Sequence, residues 1–252
     1  MKLGRFALAI CLVATGVLLA CTDIPTGDDD LLSFEFAPLP SPSVVVGDTL
    51  RDTLGVVGPL RITAFNFAGD TIAGASVRYR PLDARIRVDS VTGIVIGDSV
   101  SLVSSRILAV LDDIEGFITI PVVLRPDTLV ASNDRDTLSY SLTDTTVNVS
   151  TAMGVRVLHG PALSDSAVRS YRVTFEVISS ANPALSRFID EAGRTSSADT
   201  SDVSGAAGRR VRVDVTKLTA AIDSVVMRAS VRYRGQHIRG SPLRLVLELK
   251  PR

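Results

Sequence analysis

From Ser43 onward apolar residues recur at every second position, in run after run, with polar or charged residues between them. Leu60, Ile62 and Ala64 alternate with Arg61 and Thr63, and Val77 and Tyr79 with Arg78 and Arg80. Ile118, Ile120, Val122 and Leu124 alternate with Thr119, Pro121, Val123 and Arg125. The pattern returns in Val173 to Val177, Val211 to Val215, Val225 to Tyr233 and Leu243 to Leu249. A period of two sends successive side chains to opposite faces, so each run reads as a half-buried strand with one face on a core. No window beyond the N-terminal apolar run holds a 3.6-residue period, which leaves little room for helices. The charged residues agree: Arg outnumbers Lys 24 to 3 and Asp outnumbers Glu 22 to 5, so the usual surface helix formers are nearly absent.

Strands at this spacing, joined by turn clusters such as Ala68-Gly69-Asp70 and Asp112 to Gly116, predict an all-β chain of antiparallel sandwich type. The two halves resemble each other. Val77-Arg78-Tyr79-Arg80 matches Val173-Thr174-Phe175-Glu176, and Ile118 to Pro126 matches Leu243 to Pro251, each ending in Leu, a basic residue and Pro. Two tandem domains of one architecture are therefore expected, at residues 43–126 and 127–252. The second is longer, and the Ser-, Ala- and Gly-rich stretch around residues 179–208 is read as its insertion.

Asp70 to Tyr79, followed by Val88-Asp89-Ser90-Val91-Thr92-Gly93-Ile94-Val95-Ile96-Gly97, resembles the bacterial Ig-like domains of surface proteins, group 2 in type. Tyr79 stands where that family often has Trp. The second half is similar to the invasin type through Val173-Thr174-Phe175, and its middle section departs from the pattern. The resemblance implies Ig-like β-sandwiches in an extracytoplasmic, often adhesive setting, and it brings no catalytic residues.

The N-terminus reads as an address. Lys2 and Arg5 precede an uncharged run from Phe6 to Ala20, too short to span a bilayer and suited to a signal-peptide core. Leu18-Leu19-Ala20-Cys21 resembles the bacterial lipobox. That resemblance implies that residues 1–20 are removed and that Cys21 is the lipidated residue, the membrane partner being reached through its acyl chains at about 0.8 kcal/mol per buried methylene. Cys11 would be lost with the peptide, leaving no thiol for a disulfide. Thr22 after the Cys leans, by resemblance to the sorting rule of such proteins, toward the outer membrane. Residues 21–42 are Pro- and Asp-rich and read as a tether, reaching about 25 Å as a coil and about 65 Å as polyproline II. Within it, the alternation of Leu32-Ser33-Phe34-Glu35-Phe36 is equally that of an edge strand.

No motif for catalysis is present: there is no G-x-S-x-G, S-x-x-K, H-E-x-x-H, C-x-x-C or P-loop. His159 and His237 are the only histidines, both beside turn residues, so no catalytic residue and no cofactor are expected. The Asp28-Asp29-Asp30 triplet reads as a solvated spacer. Ser132-Asn133-Asp134-Arg135-Asp136 resembles the calcium-binding linkers of cadherin-like arrays, yet Arg135 would set a cation in the cation site; a polar linker is expected and no metal. The chain lacks Trp, and Tyr79, Phe175 and Tyr233 fall on inward parity, which favours core packing over a sugar-stacking platform.

Zero formal net charge excludes a nucleic-acid partner as the dominant character. It conceals a polarity: residues 21–42 carry −5, residues 43–126 carry −1 and residues 127–252 carry +4. Strand parity turns Arg210, Arg212, Arg228, Arg232, Arg234 and Arg244 away from the core. They form either a solvated face that protects strand edges or an anion-binding face for an envelope polymer, a lipid phosphate or an acidic protein partner. The expected function is that of a lipid-anchored envelope protein displaying Ig-like domains for non-catalytic binding or structural spacing. The alternatives are an accessory subunit that pairs through an exposed strand edge, and an envelope hydrolase dependent on His159 or His237.

Overall fold

A computed structural model describes residues 30–160, 166–179, 183–218 and 223–252. The signal peptide, Cys21, Asp28 and Asp29 lie outside the described residues. The strands of the N-terminal part are β1 (Leu31–Phe36), β2 (Val44–Val45), β3 (Ile62–Asn66), β4 (Thr71–Ile72) and β5 (Arg78–Pro81). They continue with β6 (Ile86–Val88), β7 (Val95–Gly97), β8 (Ser105–Leu111), β9 (Ile114–Ile120) and β10 (Val122–Val123). Next come β11 (Thr128–Asn133), β12 (Arg135–Tyr140), β13 (Met153–His159), β14 (Ser166–Ala167), β15 (Arg172–Ser179) and β16 (Ser186–Ile189). The last are β17 (Ala198–Thr200), β18 (Ala206–Val213), β19 (Ser224–Ser230), β20 (Arg232–Tyr233), β21 (Gln236–His237) and β22 (Leu243–Pro251). Among the described residues the only helical pieces are 3-10 turns at Thr145–Val147, Pro183–Leu185 and Val215–Lys217. The protein is all-β, as the alternation requires.

The described residues divide into two compact units, one of residues 30–35 with Ile62–Ser76 and one of the described residues within Phe36–Arg61 and Val77–Arg252. In the first, β1, β3 and β4 form a three-stranded sheet in that order, so the Leu32 to Phe36 alternation is an edge strand.

The second unit holds the sandwich. One five-stranded sheet runs β11-β13-β18-β16 with β14 beside β13; the other runs β12-β22-β19-β15-β17. Their inner faces meet in one core. Leu129, Val155, Val157 and Val211 come from the first sheet, and Phe175, Met227, Leu245 and Leu247 from the second. The Phe175 and Phe188 rings join the two layers, with centroids 5.9 Å apart and planes tilted by 51°. The alternation in β19 and β22 is the reason: Val225, Met227 and Ala229, and Leu245, Leu247 and Leu249, are buried, while Glu248 is exposed and Arg228 and Val246 are partly so; Val226 departs from the pattern and is buried as well.

Strand pairing follows one order in both halves of the sequence. The strand bearing a core aromatic, β5 with Tyr79 or β15 with Phe175, pairs antiparallel with β8 or β19, and these pair with the closing strands β9 and β22. The closing segment then meets an early strand in parallel: β10 meets β2, and β12 lies along β22 from Arg135↔Val246 to Tyr140↔Pro251. These two parallel pairs correct the purely antiparallel expectation. Alternation gives the face of each residue and carries no information on strand direction.

Two further points concern connections. The small-residue stretch read as an insertion carries strands of the sandwich: β16 forms one edge of the first sheet, β17 one edge of the second, and β18 lies between β13 and β16. The Ser132–Asp136 stretch read as an interdomain linker is a crossover, because β11 belongs to one sheet and β12 to the other. Its polar groups hold that step. Asn133 donates to Ala152 O at 2.9 Å, and Asp136 accepts from Thr151 N at 3.0 Å and Thr151 Oγ1 at 2.9 Å.

A recurring turn uses some of the abundant aspartates. At Asp52, Asn66, Asp190 and Asp202 the same five-residue turn appears: the side chain accepts from the backbone N–H four residues on, at 2.7–2.9 Å, and a glycine occupies the fourth position. A one-methylene side chain closes this ring; the longer Glu overshoots it. Asp202 also accepts from Ser204 N and Oγ, and with burial opposing them these bonds hold its carboxyl below the usual range. Asp202→Ala should therefore lower stability by about 1 kcal/mol, read from urea denaturation, with the far-ultraviolet spectrum unchanged.

Candidate functional site

The six arginines singled out by parity do not share one surface. Arg210 and Arg212 lie on β18 in the first sheet, alternating with the buried Val211 and Val213. Arg228 and Arg244 face each other across β19 and β22 in the second sheet. Arg232 and Arg234 sit on and beside β20, at the tip of the small hairpin with β21. This corrects the single basic face. Parity decides inward or outward for each strand, but consecutive strands of a sandwich belong to opposite sheets, and β18 and β19 are such a pair.

Two of the six are already engaged. Arg228 donates to Glu176 at 2.7 Å on the neighbouring strand, an exposed pair of small energetic weight. Arg234 donates through Nε to Asp48 Oδ2 at 2.8 Å, across 186 residues of sequence.

That second pair anchors a dense polar cluster. The Asp48 side chain is only 4% exposed, and it also accepts from Thr49 N at 2.8 Å and Arg51 Nε at 3.1 Å. Burial alone would raise the Asp48 pKa. The hydrogen bonds from Arg234, Thr49, Tyr233 and Arg51 outweigh it and hold the carboxyl far below the ordinary carboxylate range. Arg234 Cζ lies 5.4 Å from the centre of the Tyr233 ring, and Tyr171 OH donates to Arg232 O at 2.8 Å. Burial raises the Tyr171 phenol above its ordinary value, so it stays a neutral donor.

The backbones of the two segments also touch. Arg234 and Gly235 both have positive φ, +49° and +79°, as the tip of a tight two-residue hairpin requires. A Cβ on Gly235 would lie 2.4 Å from Leu54 O, and one on Gly55 2.4 Å from the Arg234 carbonyl carbon. Beneath this contact Val45 and Val123, partners in the parallel β2–β10 pair, belong to the same hydrophobic core as Val155 and Leu247. Residues 43–57 are thus fixed to the sandwich by an apolar seat, an ion-pair cluster and a backbone contact. Sequence reasoning missed Asp48. Its one visible signal, an Asp among apolar residues in Val44-Val45-Val46-Gly47-Asp48, reads as an ordinary turn.

Both histidines hold turn and strand-end contacts. His159 Nδ1 lies 2.7 Å from Asp127 Oδ2 and 3.0 Å from Arg125 O, tying the strand end at Asp127 to β13. His237 Nδ1 lies 3.1 Å from Ser241 Oγ, but that hydroxyl already accepts from Val231 N at 2.9 Å and donates to Val231 O at 3.0 Å. It clamps a turn and is not free to act as a nucleophile. Among the described residues no three His, Cys, Asp or Glu side chains converge as metal ligands. A groove of about 790 Å³ runs past Gly154, Ala207 and Arg210, and two arginines on it are spoken for: Arg194 pairs with Asp190 and Arg209 with Asp199, each at 2.8 Å.

No protein-family model matches the chain, and no curated protein matches it in sequence. Among solved structures it is similar to domains 4 and 5 of the S-layer protein SbsC, at 11% identity and a TM-score of 0.32 over 88% of this chain and 99% of that one. It is also similar to the first two extracellular repeats of human protocadherin-24, at 13% identity and a TM-score of 0.27 over 88% and 100% of the two chains. Domains 3–5 of Drosophila OTK align at 12% identity and a TM-score of 0.26 over 88% and 63%. The assignment of an all-β sandwich rests on the strand pairing itself. Among the described residues no helix is long and apolar enough to cross a membrane.

Proposed function

We propose that this is a lipid-anchored cell-envelope protein whose two Ig-like domains, residues 43–126 and 127–252, serve non-catalytic binding or structural spacing, with the outer membrane as its site. The observation that carries this reading is the fixed junction at Asp48, which suits a rigid display arm. The acidic tether and the lipobox-like Leu18 to Cys21 supply the attachment. Metabolic labelling with a tagged fatty acid tests it: the wild-type chain takes up label and partitions into detergent, and Cys21→Ser abolishes both. Equal labelling of the two chains would end the lipoprotein reading.

A second reading, an accessory subunit of an envelope assembly, has one observation in its favour. Among the described residues β9 pairs only with β8, and its Phe117 is 62% exposed, so a seven-residue edge is open to an added strand. In the other half β12 covers six residues of the corresponding closing strand. A stoichiometric protein partner recovered from solubilised membranes by the wild type and lost with Phe117→Lys would favour the subunit. Binding to whole cells with no such partner would favour the display arm.

A further inference from the structure

Two of the arginines without an ion-pair partner stand in a specific setting. Arg212 on β18 and Arg187 on β16 are direct cross-strand partners, on the same face of the first sheet. Like charges placed so are mutually destabilising unless something lies between them. Among the described residues neither makes an ion pair, whereas Arg194, Arg209, Arg228 and Arg234 all do. Arg212 Nε is shielded from solvent and has no hydrogen-bond partner, and the same holds for Ser186 Oγ. An unsatisfied shielded donor is costly, and a guanidinium N–H more so than a neutral one.

All three residues line one open hollow of about 280 Å³, together with Thr145, Ala184, Leu185, Val213, Asp214 and Val215. Asp214 is the only carboxylate among its lining residues; it caps the next turn, accepting from Thr216 N at 3.1 Å and Thr216 Oγ1 at 2.7 Å, and those bonds, with the charges of Lys217 and Arg187 nearby, hold its carboxyl below the usual range, so one carboxylate partly balances two guanidiniums. We propose that this hollow is an oxyanion site, in which a phosphate group is held between the Arg187 and Arg212 guanidiniums and receives the Arg212 Nε–H. The chemistry matches on each count. A phosphate brings several acceptor oxygens, removes the repulsion across the β16–β18 pair, and suits the forked donors of arginine better than a point charge would. The size of the hollow leaves room for a substituent, so the group is either free phosphate or the phosphodiester of a lipid headgroup or envelope polymer. The site deepens the non-catalytic binding reading above, and its test on the purified chain is independent of whether Cys21 carries lipid.

The test is thermal melting of the full chain in detergent at constant ionic strength, with chloride exchanged for inorganic phosphate or for glycerophosphoglycerol. Phosphate should raise the wild-type Tm by about 5 °C at a concentration near a hundredfold above Kd. Arg187→Gln and Arg212→Gln should lose that shift. In chloride, Arg187→Gln should melt no lower than the wild type, because it relieves the repulsion, and this also shows that the variant folds. A shift with inorganic phosphate alone assigns free or terminal phosphate, and an equal shift with the diester assigns the headgroup or polymer. Identical wild-type melting in chloride and in both phosphates, or a shift retained in both variants, overturns the proposal.

Discussion

Gly235→Ala is expected to lower stability by about 3 kcal/mol and to free the segment around Leu54 from the sandwich. Two effects combine. Gly235 has φ +79°, where an L side chain costs about 1–2 kcal/mol, and the new Cβ would lie 2.4 Å from Leu54 O, a backbone atom that cannot rotate away. The contact can be relieved only by moving the two segments apart. Small-angle scattering should then report a larger radius of gyration than the wild type, and amide exchange should accelerate in residues 48–57 while the core of β19 and β22 keeps its protection. Gly74→Ala is the control: its φ is also positive, at +73°, but nothing lies within 4 Å of its Cβ, so it should carry the backbone cost without the loosening. Equal scattering profiles for the wild type and Gly235→Ala would show that the backbone contact does not hold the junction.

The second large effect belongs to Asp48. Asp48→Asn removes the charge that faces Arg51 and Arg234 and should destabilise the chain at pH 7 by about 2–3 kcal/mol, a figure reduced from that of fully buried pairs because Arg234 is half exposed. The pH dependence has a definite sign. The folded pKa of Asp48 is depressed, so its contribution is complete above the unfolded value near ~3.9 and is lost as pH falls from there toward the folded pKa. Asp127 is shifted the same way: burial opposes the shift, but the Gly160 N–H and Arg125 outweigh it. Urea denaturation should thus give nearly constant stability from pH 8 to about pH 5 and a steep loss below about pH 4. The gap between wild type and Asp48→Asn should narrow across that loss. A gap that stays constant down to pH 3 would mean that Asp48 acts through packing and not through its charge.

The strand positions were legible where one face is buried and the other wet, as in β15, β19 and β22. β8 and β13 were not: Ile107, Leu108 and Ala109, and Val157 with Leu158, are buried in succession, so the period of two vanishes just where a strand is covered on both sides. Parity placed Arg210 and Arg212 on an outer surface and could not tell that Arg228 and Arg244 lie on the other sheet, since the sheet of each strand is a matter of long-range pairing. The junction was hidden for the same reason. Asp48 and Arg234 are ordinary surface residues until the fold brings them within 2.8 Å. The partner of Arg212 is Arg187, and no local pattern signals a repulsive pair.

The parallel run of β12 along β22 has a mechanical meaning. The chain enters β12 at Arg135 and leaves β22 at Pro251, at opposite ends of a six-residue ladder. Tension applied between these points lies along the strands, so the rungs share the load and must fail together. In an antiparallel hairpin pulled at its open end they would instead break in succession. The two-residue β2–β10 pair repeats the geometry with far fewer rungs. A chain held at one end and pulled at the other would therefore yield first in its N-terminal region, extending there while the segment beyond Pro126 stays folded.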